Sequence, residues 1–335
     1  MGTRGLAEGL RRLGMGVRIV TPRIHTPVYA LTRVLFNESL RRRRFDGDAT
    51  IGVDADGYTV AGRRNSRPHI ACIKGVIGDA VPFERGATRL SMTLQAKLEA
   101  EHARRAGLVI TVSRYCAQRI QELYGVTGAV VVPELIDLKL WRELFQSNPA
   151  TPDPSHFTIL SVCRFYPRKR LDVLLQAASQ VSEVIPQLEI RIVGNGPQCG
   201  RLRQLASELN LGDRVRWLGD ISLKRLAEEY SRADIFCLPS VQEGFGIVFL
   251  EAMAAGKPIV AARAAAAPEV VRSGILVEPG SPAALADALV RLYRNPDLRA
   301  SLEAAGPRDV EQYDIHRVTR SFVAAIEKIV PAVQQ

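Results

Sequence analysis

Long apolar runs are missing from this chain. No stretch approaches the roughly 18 consecutive apolar residues of a membrane-spanning helix, so none is expected. The start, Met1-Gly2-Thr3-Arg4, leads straight into an amphipathic helical pattern, and no secretory leader is expected. Cysteine is sparse: Cys72, Cys116, Cys163, Cys199 and Cys237 are scattered and odd in number, and no pair has metal or redox spacing. They read as reduced and mostly buried, as in a cytoplasmic protein. The five histidines (His25, His69, His102, His156, His316) show no metal-ligand spacing either, and read as structural or exposed. Aromatics are only 6% and no stacking motif is visible, so nucleic acid is not the expected partner despite a net charge of +10. Ser113 lacks the flanking glycines of a nucleophile elbow, which leaves a hydrolase triad unsupported.

What is present is ordinary globular material: 335 residues, 47% apolar and 24% charged, enough for about two domains with sizeable cores. The charge is unevenly placed. Residues 1–150 carry 23 Lys+Arg against 14 Asp+Glu, whereas residues 151–335 carry 22 against 21. Within 1–44 there are 10 basic residues and 2 acidic ones. This asymmetry points the first half at something anionic, such as a membrane surface or a phosphorylated acceptor.

Helical and strand patterns alternate throughout. Leu6, Leu10 and Leu13 share a helical face that Gly14 and Gly16 end, and Val17–Val20 reads as a strand. Further strands are expected at 49–53, 69–73, 108–112 and 129–132, with a long helix over 84–105. Ser147 to Ser155 holds three prolines and no periodicity, which sets the expected domain boundary at 150. Strands are expected again at 157–163, 189–193, 214–218, 235–238, 258–261 and 275–277. The apolar strands predict doubly wound α/β domains with parallel sheets and ligands at the strand carboxyl ends.

Three segments stand at such ends. Val162 to Arg170 runs from a strand into a very basic loop before a helix, a setting that suits a diphosphate; a solvated charge run is the plain alternative. Gly194-Asn195-Gly196-Pro197 resembles half of a dinucleotide fingerprint, or an ordinary strand–helix turn. Pro239 to Pro258 holds Glu243 and Glu251, the latter in an apolar helical stretch where a carboxylate needs a partner. If both glutamates shared one helix they would lie roughly 12 Å apart, beyond the roughly 6.5–9.5 Å of an inverting glycosidase pair. Two binding roles fit better.

Arg164 with Lys169, the Gly-Asn-Gly-Pro turn, Pro239-Ser240, Glu243 to Glu251 and Pro268-Glu269-Val270-Val271 occur in the order seen in retaining glycosyltransferases of family 4, which the chain resembles over 157–335. The first half resembles them more loosely, through Val109–Ser113 and Pro133–Asp137. The resemblance implies the GT-B fold, two Rossmann-like domains facing a cleft. It implies an acceptor-binding domain over 1–150, a nucleotide-sugar-binding domain over 151–312, and a C-terminal helix within 313–335 crossing back to the first domain. It further implies transfer of a sugar, hexosyltransferase-like, from a nucleoside diphosphate to a saccharide or lipid-linked acceptor in polysaccharide or glycolipid synthesis. No metal and no cofactor would be required. Arg164 and Lys169 would hold the diphosphate, and Glu243 would contact the transferred sugar. Gly244, Phe245, Gly246 and Ile247 would lie along the donor, as would Gly194, Asn195 and Gly196. Glu251 would accept from the ribose hydroxyls.

There are departures from the family pattern. The glycine pair before Pro268 is replaced within Ala264-Ala265-Ala266-Ala267, and the following segment is short. Lys74 stands where a histidine is common, and Glu134 where an asparagine is common. Relatives open with a strand and a glycine-rich loop. This chain starts in that loop, at Gly2-Thr3, with the first strand absent: either the sheet is incomplete or, the expectation taken here, Met1 is internal to a longer frame. Gly2, Lys74 and Asp54 are the expected acceptor or phosphate contacts. Asp54-Ala55-Asp56-Gly57 also resembles a metal-binding Asp-x-Asp, although a polar turn fits the rest of the chain better. Residues 28–44, with Val28, Leu31 and Leu35 on one helical face and Arg41 to Arg44 at its end, fit a packed helix or a peripheral association with the inner face of the membrane. A catalytically degenerate relative is the alternative that these departures leave open.

Overall fold

The computed structural model describes residues 2–23, 26, 29–63 and 67–330. The chain divides into two compact units, Met1–Leu135 with Ile315–Gln335, and Ile136–Asp314.

The first unit contains α1 (Gly2–Arg12), α2 (Tyr29–Arg41), β1 (Thr50–Val53), β2 (His69–Ile73), α3 (Ile77–Ala80), α4 (Gly86–Arg105), β3 (Leu108–Thr111), α5 (Arg114–Tyr124) and β4 (Val130–Val131). The four strands form a parallel sheet in the order β1-β2-β3-β4. Strand β2 is buried along its whole length, as a central parallel strand requires. The helix Ile315–Ile326 also belongs to this unit and packs on α1. Leu6, Leu10, Ile70, Ile110, Val318 and Phe322 share the resulting core. Gly9 permits the close helix contact, since a Cβ there would lie 2.1 Å from Thr319 Oγ1. Ser113 serves as a helix cap, its hydroxyl accepting from Cys116 N at the start of α5.

The second unit contains α6 (Leu138–Ser147), β5 (Phe157–Val162), α7 (Leu171–Val181), β6 (Leu188–Val193), α8 (Cys199–Glu208), β7 (Val215–Gly219), α9 (Leu223–Arg232), β8 (Ile235–Leu238), α10 (Ile247–Ala254), β9 (Ile259–Ala262), α11 (Ala267–Val270), β10 (Ile275–Val277), α12 (Pro282–Arg294) and α13 (Pro296–Asp309). Its six parallel strands run β10-β9-β8-β5-β6-β7. Counted from β5, that is the doubly wound order of dinucleotide-binding folds. The stripe Val173, Leu174, Ala177, Val181 with Ile185 is buried against the sheet.

Two expectations change. Val17–Val20 forms no strand; it finds no ladder partner among the described residues, and Ile19 stays 47% exposed, so β propensity alone is insufficient. The division between units falls at Leu135 rather than near 150. Helix α6 packs on α9 and α10, which carries the proline-rich segment 147–155 into the second unit. Prolines signalled a loop there, and a loop need not separate domains.

Candidate active site

Doubly wound sheets bind ligands where the strand order reverses, outside the carboxyl ends of the two strands that flank the reversal. In the second unit those strands are β5 and β8. The loop after β5 carries Arg164 to Arg170, and the loop after β8 carries Pro239 to Gly246. The two loops are tied through one carbonyl: Arg168 O accepts from Val241 N at 2.9 Å and from the Ser240 hydroxyl at 3.2 Å. The tie brings Lys169 against Glu243, whose side chains form an ion pair and are only 12% and 13% exposed. Arg164 is different: its side chain is 61% exposed, with Asp220 at 3.7 Å. Arg168 lies over the Tyr166 ring, 4.7 Å from its centre, and Arg170 turns back onto Asp172.

The Gly194-Asn195-Gly196 turn follows β6. Gly194 has φ +115°, and a Cβ there would sit 2.0 Å from Cys163 O. A Cβ on Gly196 would sit 2.6 Å from Phe165 N. Both glycines therefore let the turn lie against the Cys163–Phe165 backbone, where Phe165 N donates to Asn195 O at 3.0 Å.

After β8, Glu243 lies ahead of α10 rather than on it, so the single-helix spacing does not apply. Gly246 caps α10 with φ +90°, Ile247 opens the helix, and Phe245 is buried edge-on against Tyr313. Gly244 joins these two positions. Glu251 is 7% exposed and accepts from the Tyr230 hydroxyl at 2.9 Å. Burial pushes its carboxyl up to about 7. The Ala264–Ala267 stretch keeps a glycine-like bend: Ala265 has φ +50°, and Ala266 N donates to Glu243 O at 3.2 Å.

The first unit brings Gly2, Lys74 and Asp54 together by a different route. Lys74 Nζ pairs with Glu134 Oε2 at 3.1 Å, and Glu134 lies beside Gly2 at the start of α1. Lys74 N donates to Asp54 Oδ1 at 2.8 Å. Burial raises the Asp54 carboxyl, an effect that the Lys74 N–H and the charge of Arg33 oppose. Asp56 accepts from Asn37 Nδ2 at 3.2 Å and pairs with Arg33 at 3.8 Å. Among the described residues no group of three or more His, Cys, Asp or Glu could hold a metal ion.

The sequence pattern did not anticipate the support beneath Asp54. This residue is held at φ +51° after β1. His102 Nδ1 donates to its carbonyl at 2.6 Å. That leaves His102 Nε2 to accept from His69 Nε2 at 2.8 Å, and His69 Nδ1 to accept from the Thr50 hydroxyl at 2.7 Å. Both rings are neutral: burial lowers His69 to about 3 and His102 to about 4. Periodicity carried no signal for this pair, or for Tyr230, because each contact joins different elements.

Comparison with known proteins agrees with this architecture. The family model described as glycosyl transferases group 1 matches residues 144–309. The chain is 31% identical over 350 residues to the phosphatidyl-myo-inositol mannosyltransferase of Mycobacterium leprae, a match covering 97% of this chain and 91% of that protein. It is 34% identical over 223 residues to the GDP-mannose-dependent alpha-(1-6)-phosphatidylinositol monomannoside mannosyltransferase of Mycobacterium tuberculosis, covering 59% of this chain and 56% of that protein. Among solved structures, sucrose-phosphate synthase from Thermosynechococcus elongatus superposes with a TM-score of 0.79 at 22% identity, over 98% of this chain and 92% of that one. Anabaena HepE with UDP and glucose gives 0.70 at 21% identity, over 95% and 88%. These two likenesses show the GT-B fold. With a named relative matched over nearly its whole length, this chain belongs to the glycosyl transferases group 1 family and is a glycosyltransferase.

Proposed function

We propose that this chain moves a sugar from a nucleoside-diphosphate donor to a lipid-linked acceptor, with retention of configuration and without a metal. The observation that carries the reading is the pair of loops tied at Arg168 O, which sets Lys169 and Glu243 side by side at the reversal point of the second sheet. Arg164 and Lys169 supply positive charge where the leaving diphosphate becomes more negative, the usual route to transition-state stabilisation without a metal. Glu243 holds the transferred sugar, and Glu251 accepts from the ribose. The remaining donor residues shape the backbone around them and fix orientation.

The relatives' names support mannose as the sugar, GDP as its carrier and a phosphatidylinositol-based lipid as the acceptor. The first unit suits such an acceptor. Leu31 and Leu35 of α2 are 46% and 39% exposed, and the exposed Arg41 to Arg44 follow. Val28, placed on the same face by the sequence, lies outside the described residues. No helix of the described residues is long and apolar enough to cross a membrane. Approach to the lipid is therefore read as peripheral, through basic side chains and leucines. Lys74 is the candidate partner for the headgroup phosphate.

The test is nucleoside-diphosphate release from GDP-mannose, UDP-glucose and UDP-N-acetylglucosamine in the presence of phosphatidylinositol vesicles, with and without chelator. The expected result is release that needs both GDP-mannose and the vesicles, survives chelation and yields an α-linked product by NMR. Release abolished by chelator, or a β-linked product, overturns the corresponding part of the reading. No release from any donor overturns the whole.

A further inference from the structure

We infer that Tyr230 is a positioning residue for the donor's ribose: it fixes one oxygen of Glu251 and leaves the other aimed at the sugar hydroxyls. The inference rests on the donor-site reading above and adds to it a residue from a different helix.

Glu251 sits on α10 among Phe249, Leu250, Ala252 and Met253, all buried. A carboxylate in such surroundings either finds a hydrogen-bond donor or gives up its charge. The Tyr230 hydroxyl, reaching over from α9, is that donor, 2.9 Å from Glu251 Oε2. Glu251 Oε1 makes no hydrogen bond among the described residues. The hydroxyl has a second acceptor in reach, Val248 O at 3.2 Å, but only one proton to give. An ionised carboxylate outcompetes a peptide carbonyl for it, because the bond is charge-assisted. The ionised state thus leaves Oε1 as the open acceptor of the pair, and a vicinal diol is the ligand that offers donors to such an oxygen.

Tyr230 can serve as a fixed post because its ring cannot shift. It is fully buried, edge-on to Trp141 with centroids 5.8 Å apart, and 5.8 Å from Phe236 on β8. Trp141 belongs to α6, so three elements hold the ring. Loss of the hydroxyl alone would leave this packing in place while freeing the Glu251 carboxylate to rotate or protonate.

The experiment is calorimetric titration of GDP, UDP and their 2′,3′-dideoxy forms into wild type, Tyr230→Phe, Glu251→Gln and the double variant, with melting curves to confirm folding. Wild type is expected to prefer the ribose form of the nucleotide it binds. Tyr230→Phe should weaken the ribose form about tenfold, equivalent to about 1.4 kcal/mol, and leave the dideoxy form unchanged. Glu251→Gln should erase the preference, and adding Tyr230→Phe to it should change nothing further. Tyr230→Phe that weakens both forms equally, or that retains the wild-type preference, overturns the inference while the donor site stands. If Tyr230→Phe does not fold, a wild-type preference that Glu251→Gln leaves intact overturns it too. Wild type that binds neither diphosphate overturns the donor-site reading and this inference with it.

Discussion

The two sheets handle charge at their strand ends in different ways. In the second unit, two loops meet at the strand ends: Lys169 pairs with Glu243 across them, both side chains largely covered, and only Arg164 projects with most of its side chain in solvent. In the first unit, polar groups are sunk among one another. Glu134 is almost fully covered by the time Lys74 reaches it, His69 and His102 share one buried hydrogen bond, and Glu99 is completely covered with Tyr124 as its partner. A charge in solvent, such as Arg164, can exchange its partner for a ligand at little structural cost. A sunk charge holds its surroundings in place, since removing either member strands the other in a medium that solvates it poorly. Similar residue types at similar topological positions thus differ in their surroundings: one covered ion pair beside an exposed guanidinium in the second unit, a linked set of covered polar groups in the first.

The comparison yields predictions that differ in kind. The largest is catalytic. Arg164→Ala should lower kcat on the order of 10²–10³-fold while the melting temperature stays near wild type, because its side chain is mostly in solvent. Lys169→Ala should lower kcat as much and also cost stability, because Glu243 is left covered and unpaired. A large loss of stability in Arg164→Ala would show that this exposed charge is scaffolding after all. Next comes the opposite substitution in the first unit. Lys74→Ala should cost about 3 kcal/mol of unfolding free energy by urea titration, because Glu134 is left buried and unpaired. Lys74→Ala with Glu134→Ala should recover much of that loss. Failure of the second change to compensate would break the pairing.

An effect of comparable size concerns acid. Both histidines are neutral when folded, with His69 lowered to about 3 and His102 to about 4, while the unfolded chain takes up protons near 6.5. Their contribution is therefore complete above about 6.5 and is lost as pH falls toward 4. The slope is about 1.4 kcal/mol per pH unit for each histidine. Urea titrations between pH 7 and 5 measure it, and His69→Gln should flatten it. The smallest expected effect is at Ala265. It adopts a left-handed conformation that costs an L-residue roughly 1–2 kcal/mol. Ala265→Gly should stabilise by about 0.5 kcal/mol after the extra unfolded-state entropy of glycine is subtracted. A drop in the melting temperature would show that the bend is not strained.

Much of this molecule was legible before any coordinates. The apolar runs at 69–73, 157–162 and 235–238 became buried parallel strands because a sheet covered on both faces needs continuous apolar residues. The order of Arg164, Lys169, Glu243 and Glu251 marked the second unit's strand ends. Where local pattern failed, a partner distant in sequence decided. Val17–Val20 has strand composition but pairs with no strand among the described residues. The prolines at 149, 152 and 154 mark a loop, but α6 before them packs on α9 and α10.

The sequence by itself determined which segments become strands and helices, and which loops carry charge, because periodicity, capping and turn chemistry act over a few neighbouring residues. Tertiary structure alone decided what those charges do. Lys169 finds Glu243 only when β5 and β8 lie side by side. Glu251 finds Tyr230 only when α9 packs near α10. His69 finds His102 across 33 residues of chain. Hydrogen bonds and ion pairs act within about 3 Å, and only the folded chain brings residues so far apart in sequence to that distance.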